Sequence, residues 1–237
     1  MPKTSFYNLL KNIAVNGDKS LAILIDPDKF DLNSVDLFLD TVPIDTTHIF
    51  VGGSEVAEGL TEQVVKLLKI KCNLPIFLFP GDHSQLTPKA DALLFLSLLS
   101  GRNAEYLVGQ QVKSIKNLKD SQLEIIPTGY ILIDGGTDSS VARISNTAPI
   151  PQEDIENIVH TALAGQYMGA KLIYLEAGSG AKFPIQPIVI SAVKNELKIP
   201  LLVGGGIRTV KQKNMAYEAG ADMVIMGTAF EKLIKRI

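Results

Sequence analysis

The runs LIYLEAGSG (residues 172–180) and PLLVGGG (residues 200–206) decide the fold of this chain. Each is a short apolar run that ends in acidic or small residues, and an amphipathic stretch separates the two. An apolar run of this length is typical of a strand that is buried on both faces, as in a parallel sheet. Six further runs have the same form: LAILID (21–26), HIFVGG (48–53), PIFLFPG (75–81), ALLFLS (92–97), IIPTGYILID (125–134) and MVIMGT (223–228).

The stretches between these runs have helical periodicity. Apolar residues recur at helix spacing at Val56, Leu60, Val64, Leu67 and Leu68, and again at Ile155, Ile158, Val159 and Ala162. Strands that alternate with helices form βαβ units. Eight such units in 237 residues predict an α/β protein with a closed (β/α)8 TIM barrel, built as a single domain over residues 1–237. An open, doubly wound sheet of this size would have fewer strands.

Three segments depart from the regular repeat. SFYNLLKNIA (5–14) predicts an extra helix that plugs or flanks the bottom of the barrel. HSQLTPKAD (83–91) is too short for a full helix, so the third helix is predicted to be irregular. The segment from Asp134 to Pro151 is long and polar, and we interpret it as a loop. Loops of this length in a compact domain are usually lids or binding loops.

Composition excludes several classes of protein. Hydrophobic residues make up 46% of the chain, which excludes a disordered protein, and a formal net charge of −2 excludes a generally basic surface that would coat nucleic acid. The single cysteine, Cys72, excludes an intramolecular disulfide and a cysteine-based zinc cluster. The N-terminus lacks a signal-peptide pattern, and the most apolar stretch, ADALLFLSLLSG (90–101), is too short to cross a bilayer. We therefore expect a soluble, cytoplasmic protein whose membrane contact, if any, is peripheral.

Small residues end the seventh and eighth runs. The active site of a (β/α)8 barrel lies at the carboxyl ends of its strands, so these residues are candidates for ligand contact. Gly204–Gly206 would let backbone N–H groups close on a phosphate, and Gly227 with Thr228 would supply a second wall. The alternative is that the glycines only make tight turns.

The end of the sixth run, YLEAGSGA (174–181), combines a carboxylate with a glycine-rich turn. Glu176 lies at the mouth of an otherwise apolar strand, and Gly178, Ser179 and Gly180 follow it. A carboxylate beside a phosphate site suggests a general base that acts on a phosphorylated substrate, and partial burial would raise its pKa toward a useful range. The alternative is that Glu176 pairs with a Lys or Arg inside the barrel mouth.

Oxygen ligands for a divalent cation follow the first two runs. Asp26 and Asp28 in IDPDK (25–29) offer carboxylates, and Ser54 in VGGSE (51–55) offers a hydroxyl. Mg²⁺ is usually held by one or two carboxylates together with substrate phosphates, so a site of this kind is expected here. The alternatives are local, with Asp26 or Ser54 serving only as a helix N-cap.

The three histidines are far apart in the sequence. His83 follows a strand end and is a candidate for ligand contact, whereas we interpret His48 and His160 as structural. No Ser-His-Asp spacing, Walker loop or Cys-His metal spacing is present.

Taken in order, the strand ends resemble those of geranylgeranylglyceryl phosphate synthases. The resemblance covers residues 20 to 230 and rests on LIDPDK (24–29), VGGSE (51–55), ADALLFLSLLSGRN (90–103), PTGYILIDGG (127–136), YLEAGSGA (174–181), VGGGIR (203–208) and MGTAF (226–230). YLEAGSGA together with VGGGIR is the most specific part. The closest match is to the second group of the family, found in archaea and some bacteria, because the first group carries Lys where this chain has Leu24.

The resemblance implies a reaction and a set of site residues. sn-Glycerol 1-phosphate would attack the allylic carbon of a polyprenyl diphosphate, such as geranylgeranyl diphosphate, giving a prenylglyceryl phosphate ether and pyrophosphate. Asp26 and Ser54 would contact Mg²⁺, and Glu176 would take the proton of the attacking hydroxyl. The residues implied to hold glycerol phosphate are Tyr174, Leu175, Glu176, Ala177, Gly178, Ser179, Gly180, Gly205, Gly206, Gly227 and Thr228. A homo-oligomer is expected by the same resemblance.

Other functions stay open at this point. A barrel isomerase or cyclase acting on a sugar phosphate would need a second acid or base facing Glu176, and a non-catalytic lipid- or phosphate-binding barrel would tolerate the loss of Glu176. Within the synthase hypothesis, Arg102 and Asn103 after the fourth strand are candidates for holding the departing diphosphate. The alternative for this pair is an exposed loop arginine beside an N-cap asparagine.

Overall fold

Eight parallel strands close into a barrel in the computed structural model, which describes residues 5–227. The strands are β1 (Ser20–Ile25), β2 (His48–Val51), β3 (Ile76–Leu78), β4 (Ala92–Leu98), β5 (Glu124–Leu132), β6 (Leu172–Glu176), β7 (Leu201–Gly204) and β8 (Met223–Met226). Each pairs with the next along the chain, and β8 pairs with β1. This confirms the predicted (β/α)8 TIM barrel, and each of the eight apolar runs coincides with one strand, although β1, β4 and β5 extend one residue beyond their runs.

Helices pack around the barrel and at its two ends. They are α1 (Phe6–Asn16), α2 (Val35–Thr41), α3 (Leu60–Lys71), α4 (Gln110–Leu118), α5 (Ser140–Ser145), α6 (Ile155–Tyr167), α7 (Pro187–Glu196) and α8 (Val210–Glu218), with 3-10 turns at Pro27–Lys29 and Leu32–Ser34 and a π turn at Glu105–Gly109. Within residues 5–227, none of these helices has the length and apolar character that a membrane crossing requires.

Alternate strand residues build two apolar cores, because successive side chains of a strand point to opposite faces. One set, exemplified by Phe50 and Tyr174, fills the barrel interior. The other set, exemplified by Ile49 and Leu175, packs against the outer helices. This alternation directs Glu176, two residues after Tyr174, toward the barrel axis.

Helix α1 lies against the bottom of the barrel, as the sequence predicts. Glu124, the first residue of β5, accepts hydrogen bonds from the Ser5 hydroxyl (2.6 Å), Phe6 N (2.6 Å) and Tyr7 N (3.0 Å). The Phe6 ring packs edge-on against Phe77 at 5.5 Å between centroids, and Leu10 of the same helix is buried in the interior core. The carboxylate therefore fixes the helix N-terminus while its apolar face closes the barrel.

The wall between β3 and β4 is open over its upper half. The chain forms only turns between these strands, which confirms that no full third helix forms, but the irregular helix predicted here is absent as well. The pairing of β3 with β4 stops at Leu78 and Leu93, although β4 continues to Leu98 and stays paired with β5. The side-chain amide of Gln111 on α4 donates to the carbonyl of Leu96. This gap, which we call the β3–β4 seam, extends from the barrel mouth toward α4.

The segment from Asp134 to Pro151 is not wholly a loop, because it contains helix α5. Ser139 caps the helix by accepting from Ala142 N (3.1 Å), and Asn146 ends it in the left-handed conformation at φ 50°. Six residues are too few for a periodic apolar pattern, so the interpretation as a plain loop missed this helix. A single bridge between Ile133 and Ile150 returns the chain to the barrel.

Candidate active site

A cavity of about 370 Å³ opens at the carboxyl ends of the strands. Its polar half is lined by residues that end β1, β2, β6, β7 and β8, including Asp26, Ser54, Glu176, Gly205 and Gly227. Its apolar half follows the β3–β4 seam and is lined by side chains such as Phe79, Leu86, Leu93, Phe95, Leu96 and Tyr106. A ligand with a charged head and a hydrocarbon tail would match both halves.

Glu176 is buried at the end of β6 with 5% of its surface exposed. Its Oε1 accepts a hydrogen bond from Gly178 N at 2.8 Å, and among residues 5–227 it forms no ion pair, so the ion-pair alternative is wrong there. Burial raises the pKa of the Glu176 carboxyl, and this outweighs the Tyr174 hydroxyl and Gly178 N–H, which lower it. A carboxylate that resists ionisation by burial is suited to take up a proton.

Tyrosines surround this carboxylate inside the barrel. The Tyr174 and Tyr130 rings meet edge-on at 5.4 Å between centroids. Burial raises the pKa of both hydroxyls, and the negative charge of Glu176 raises them further. Both tyrosines therefore stay neutral and keep the base of the cavity uncharged apart from Glu176.

The glycines after β7 bring the backbone against Glu176. Gly205 has φ +80°, and a Cβ added there would lie 2.5 Å from Glu176 Oε1. Gly206 has φ +71°, and its Cβ would lie 2.9 Å from the Phe183 carbonyl oxygen. Both positions therefore need glycine for conformation and for space. The tight-turn alternative is thus true in part, but the turn also lines the cavity.

The turn after β6 faces the same part of the cavity. Ala181 N donates to the Gly178 carbonyl at 3.2 Å, and the Arg208 guanidinium donates to the Ala181 carbonyl at 2.5 Å. Ser179 lines the cavity, and Gly180 lies in the same turn with φ +77°. The turn is therefore fixed from the β7 side, with backbone groups beside Glu176.

Two of the residues implied to hold glycerol phosphate point elsewhere. The side chains of Leu175 and Ala177 belong to the outer core, packed toward the helices, so only their backbone can contribute to a cavity ligand. Tyr174 and Gly227 line the cavity as expected. Thr228 lies outside the described residues.

Asp26 presents its carboxylate at the end of β1. Its Oδ1 caps the following 3-10 turn by accepting from Asp28 N at 3.2 Å, and its Oδ2 lies 2.5 Å from Lys29 Nζ. A Cβ added at Gly53 would lie 2.5 Å from Asp26 Oδ1, so the ends of β1 and β2 are in contact. Asp26 therefore serves as an N-cap and lines the cavity at the same time.

Ser54 lies beside Asp26 without capping a helix. The next helix, α3, begins at Leu60 with Gly59 as its N-cap, so the N-cap alternative for Ser54 is wrong. The buried side chain of Gln85 holds this loop by donating to the Gly53 carbonyl (2.9 Å) and accepting from Gly53 N (3.3 Å). Sequence reasoning missed Gln85, because a glutamine in a polar turn carries no pattern that marks it as buried.

The remaining candidates separate into those that reach the cavity and those that do not. Arg102 donates to the carbonyls of Leu99 (3.2 Å) and Gly101 (2.7 Å) in its own loop, and Asn103 donates to the Ser145 carbonyl at 2.9 Å. Neither lines the cavity, so the hypothesis that they hold diphosphate has no geometric support. His83 does line it.

The other two histidines lie away from the cavity. His48 is buried inside the lower barrel, where its ring meets Phe77 edge-on, and His160 is exposed on α6. Their positions agree with a structural interpretation.

The fold and this two-part cavity define a barrel protein of the (β/α)8 class with its candidate site at the strand ends. The sequence profile of the PcrB family matches residues 16–236, and the chain belongs to that family.

The comparisons with individual proteins agree with this assignment. The chain is 55% identical over 213 residues, 90% of its length and 91% of the relative's, to a geranylgeranylglyceryl phosphate synthase of Zunongwangia profunda. It is 41% identical over 212 residues, 89% of its length and 83% of the relative's, to the synthase of Thermococcus kodakarensis.

Solved structures show the same similarity. The crystal structure of (S)-3-O-geranylgeranylglyceryl phosphate synthase from Thermoplasma acidophilum, in complex with substrate sn-glycerol-1-phosphate, aligns with a TM-score of 0.87 and 35% identity. The alignment covers 97% of this chain and 93% of that one. The structure of the wild-type enzyme from Thermoplasma volcanium aligns equally well, with 36% identity over 99% of this chain and 96% of that one.

Proposed function

We propose that this protein is a geranylgeranylglyceryl phosphate synthase, a prenyltransferase that joins sn-glycerol 1-phosphate to a polyprenyl diphosphate through an ether bond. The observation that carries the proposal is the position of Glu176. This buried carboxylate lies where a glycine-lined pocket meets an apolar seam. In that place a base can act on the hydroxyl of a small phosphorylated acceptor while a long apolar donor occupies the other half.

Backbone groups hold the phosphate of the acceptor in this proposal. The turns at Gly178–Gly180 and Gly205–Gly206 carry positive φ angles and lie side by side, which lets successive N–H groups converge on an anion. Gly227, after β8, is a third place where the backbone lines the cavity. Arg208 lines the same half of the cavity and adds positive charge.

Glu176 acts as the general base. With the acceptor anchored by its phosphate, the free hydroxyl lies against the Glu176 carboxylate, which takes the proton as the oxygen attacks the allylic carbon. The C–O bond to the diphosphate breaks at the same centre, and its electron pair leaves with the diphosphate oxygen. Because an allylic cation reacts with any nucleophile, the buried tyrosines below this point serve to exclude water.

A divalent cation is needed because the cavity is poor in positive charge. Among the described residues its lining includes the carboxylates Asp26, Asp28, Glu55, Asp82 and Glu176 against Lys29 and Arg208. A diphosphate would add further negative charge to this half of the cavity. We propose Mg²⁺, held by Asp26 and Ser54 together with substrate phosphate oxygens, a donor set that suits this ion. When bound, the ion would offset the charge that builds on the leaving group.

The donor tail lies in the β3–β4 seam. The seam is lined on both faces of β4, by Leu94 and Leu96 from the interior and by Leu93 and Phe95 from the outer side. Burying each methylene of a hydrocarbon tail there contributes about 0.8 kcal/mol. A sugar-phosphate isomerase would have no use for this apolar half.

The test is transfer from isotopically labelled geranylgeranyl diphosphate to sn-glycerol 1-phosphate, with and without Mg²⁺. We expect one labelled ether and one pyrophosphate per turnover, with no reaction after chelation of the metal. Donors of 15, 20 and 35 carbons offered together, with products resolved by mass spectrometry, would define the preferred chain length. Absence of an ether product from every donor would contradict the proposal.

We further propose that the enzyme is a cytoplasmic homo-oligomer that meets membranes only peripherally, through its lipid product. Exposed apolar side chains at Val108, Val112 and Ile115 recur at helix spacing along the π turn and α4, which supports a protein contact there. Sedimentation of the purified protein and fractionation of cells test these statements. A monomer at micromolar concentration would contradict the first.

A further inference from the structure

We infer that His83 binds the departing diphosphate through its ring Nε2, an assignment that rests on the function proposed above. His83 lies in the turn that replaces the third helix, and its side chain lines the cavity. The buried Gln85 accepts from Gly81 N at 3.2 Å and from Gly53 N at 3.3 Å, so it ties this turn to the loop that carries Ser54. His83 therefore lies in a turn that is tied to the Ser54 loop, and it lines the same cavity as Asp26 and Ser54.

The hydrogen bonds of Gln110 fix which nitrogen of His83 carries a proton. The Gln110 amide nitrogen donates to Glu105 Oε1 at 2.7 Å, and a carboxylate can only accept. The Gln110 oxygen must then face His83, where it accepts from His83 N at 2.8 Å. The same oxygen lies 2.8 Å from His83 Nδ1. Since an amide oxygen cannot donate, Nδ1 carries a hydrogen and Nε2 is the remaining functional nitrogen.

This arrangement is itself supported from α4. Lys113 forms an ion pair with Glu105, and the carboxylate of Glu105 folds back over Gly109, where an added Cβ would lie 2.5 Å from Oε2. These residues belong to the π turn and to α4, and π turns inside helices are frequent at functional sites. Three layers of polar contacts thus orient one ring that lines the cavity, which is more than the packing of a surface turn requires.

The charge of the leaving group explains the role of that ring. When the allylic C–O bond breaks, the electron pair stays on the diphosphate oxygen. With Nδ1–H directed at the Gln110 oxygen, the ring has Nε2 left for the diphosphate oxygen, and an imidazolium would donate from it in a charge-assisted hydrogen bond. Lys29 lies against Asp26 and Arg208 against the Ala181 carbonyl on the acceptor side, so His83 supplies a donor where the seam begins.

The first test is a nitrogen-15 NMR spectrum of the histidine rings in the wild-type protein, titrated with inorganic pyrophosphate and Mg²⁺. In the free protein we expect the neutral His83 ring to be protonated at Nδ1. Pyrophosphate should add a proton at Nε2 and shift that signal, while His160, exposed on α6, serves as the internal reference. A His83 ring that stays unchanged at saturating pyrophosphate would overturn the inference without touching the proposed ether synthesis.

The second test uses variants and calorimetry. His83→Ala should weaken Mg²⁺-dependent pyrophosphate binding about 10-fold, as expected for one hydrogen bond to a charged group, and leave the affinity for sn-glycerol 1-phosphate within 2-fold, about the error of the method. His160→Ala is the matched control. Gln110→Leu removes the acceptor at Nδ1 and should move the neutral ring toward the Nε2-protonated form. Equal pyrophosphate affinity for wild type and His83→Ala would contradict the assignment.

Discussion

Glu176 is the residue on which the proposed chemistry depends. We expect Glu176→Gln to lower kcat by about 10²- to 10⁴-fold, the usual contribution of a general base, because an amide cannot accept the hydroxyl proton. Binding of sn-glycerol 1-phosphate, measured by calorimetry, should change little. Equal losses in acceptor binding and in kcat would instead mean that Glu176 only shapes the pocket.

The same residue predicts how activity depends on pH. Burial raises the pKa of the Glu176 carboxyl above its ordinary value, and a base acts only when it is deprotonated. The rate should therefore rise with pH through the raised pKa and level off above it. A rate that is flat across this range would contradict the assignment.

Asp26 gives a prediction about the cation. Asp26→Asn removes the charge of one proposed ligand, so the Mg²⁺ concentration for half-maximal activity should rise about 10-fold or more, as expected for a lost charged ligand. The control is Asp40→Asn on the exposed side of α2. An unchanged Mg²⁺ requirement in the Asp26 variant would place the ion elsewhere.

Alanine variants at Gly205 and Gly17 distinguish the cost of backbone strain from a loss of ligand binding by the turn after β7. Gly205→Ala and Gly17→Ala both place alanine at positive φ, which should cost about 1 kcal/mol of unfolding free energy at Gly17 and more at Gly205, where the added Cβ also clashes with Ala177 N and Gly178 N. An added Cβ meets Glu176 at Gly205, whereas nothing lies within 4 Å of it at Gly17, the C-cap of α1. Only Gly205→Ala should lose acceptor affinity, measured alongside denaturation. Equal affinity in both variants would remove Gly205 from the phosphate site.

At the scale of elements, the plug formed by α1 depends on one carboxylate. Glu124→Ala removes the acceptor for Ser5, Phe6 N and Tyr7 N, so it should lower the free energy of unfolding by about 1–3 kcal/mol in urea denaturation. Catalysis should be nearly unchanged, because Glu124 lies at the opposite end of the barrel from the cavity. A large loss of kcat at full folding would show that the plug also shapes the cavity.

The sequence predicts the strands well and the loops poorly, for a physical reason. A continuous apolar run predicts a strand that is buried on both faces. The glycines after β6 and β7 likewise indicate where the backbone passes close to Glu176. The contacts that hold the strand ends together carry no such pattern. Gln85 and Gln110 are ordinary polar residues until the fold brings Gly53 and His83 against them.

Arg102 illustrates the opposite error. A cation just after a strand is a reasonable ligand for diphosphate, but the charge alone does not say where the side chain turns. In the structure its guanidinium satisfies carbonyls of its own loop, whereas His83 from a neighbouring turn reaches the cavity. No sequence pattern indicated helix α5 either. Ser139 and Asn146 can be recognised as its caps only once the ends of the helix are known.

At the scale of the whole molecule, His48 links stability to pH. Burial lowers its pKa to about 4, against an ordinary value near 6.5, so the folded protein resists a proton that the unfolded chain accepts. Stability should fall as the pH drops from about 6.5 to about 4, with a total loss from this group of about 3 kcal/mol.

Two comparisons isolate this contribution in urea denaturation at each pH. The difference between wild type and His48→Gln should shrink toward low pH, because glutamine cannot be protonated. Glu176 contributes to the pH dependence of stability with the opposite sign, because its raised pKa lowers the free energy of unfolding as the pH rises. This contribution is the same in wild type and His48→Gln, so it cancels in their difference. His160→Gln, a change on the surface, should leave the plot of unfolding free energy against pH unchanged. Parallel curves for wild type and His48→Gln would contradict the prediction.

The glycine turns around Glu176 have one more consequence. In the proposed reaction they form the acceptor end of the cavity, where Gly205 and Gly206 have positive φ and an added Cβ would clash, so almost any replacement would disturb this end. The apolar half of the cavity is less constrained, because exchanging one apolar side chain for another along the β3–β4 seam alters its shape without straining the backbone. We therefore expect single substitutions along the seam to change the preferred donor length while the acceptor end of the cavity keeps its form.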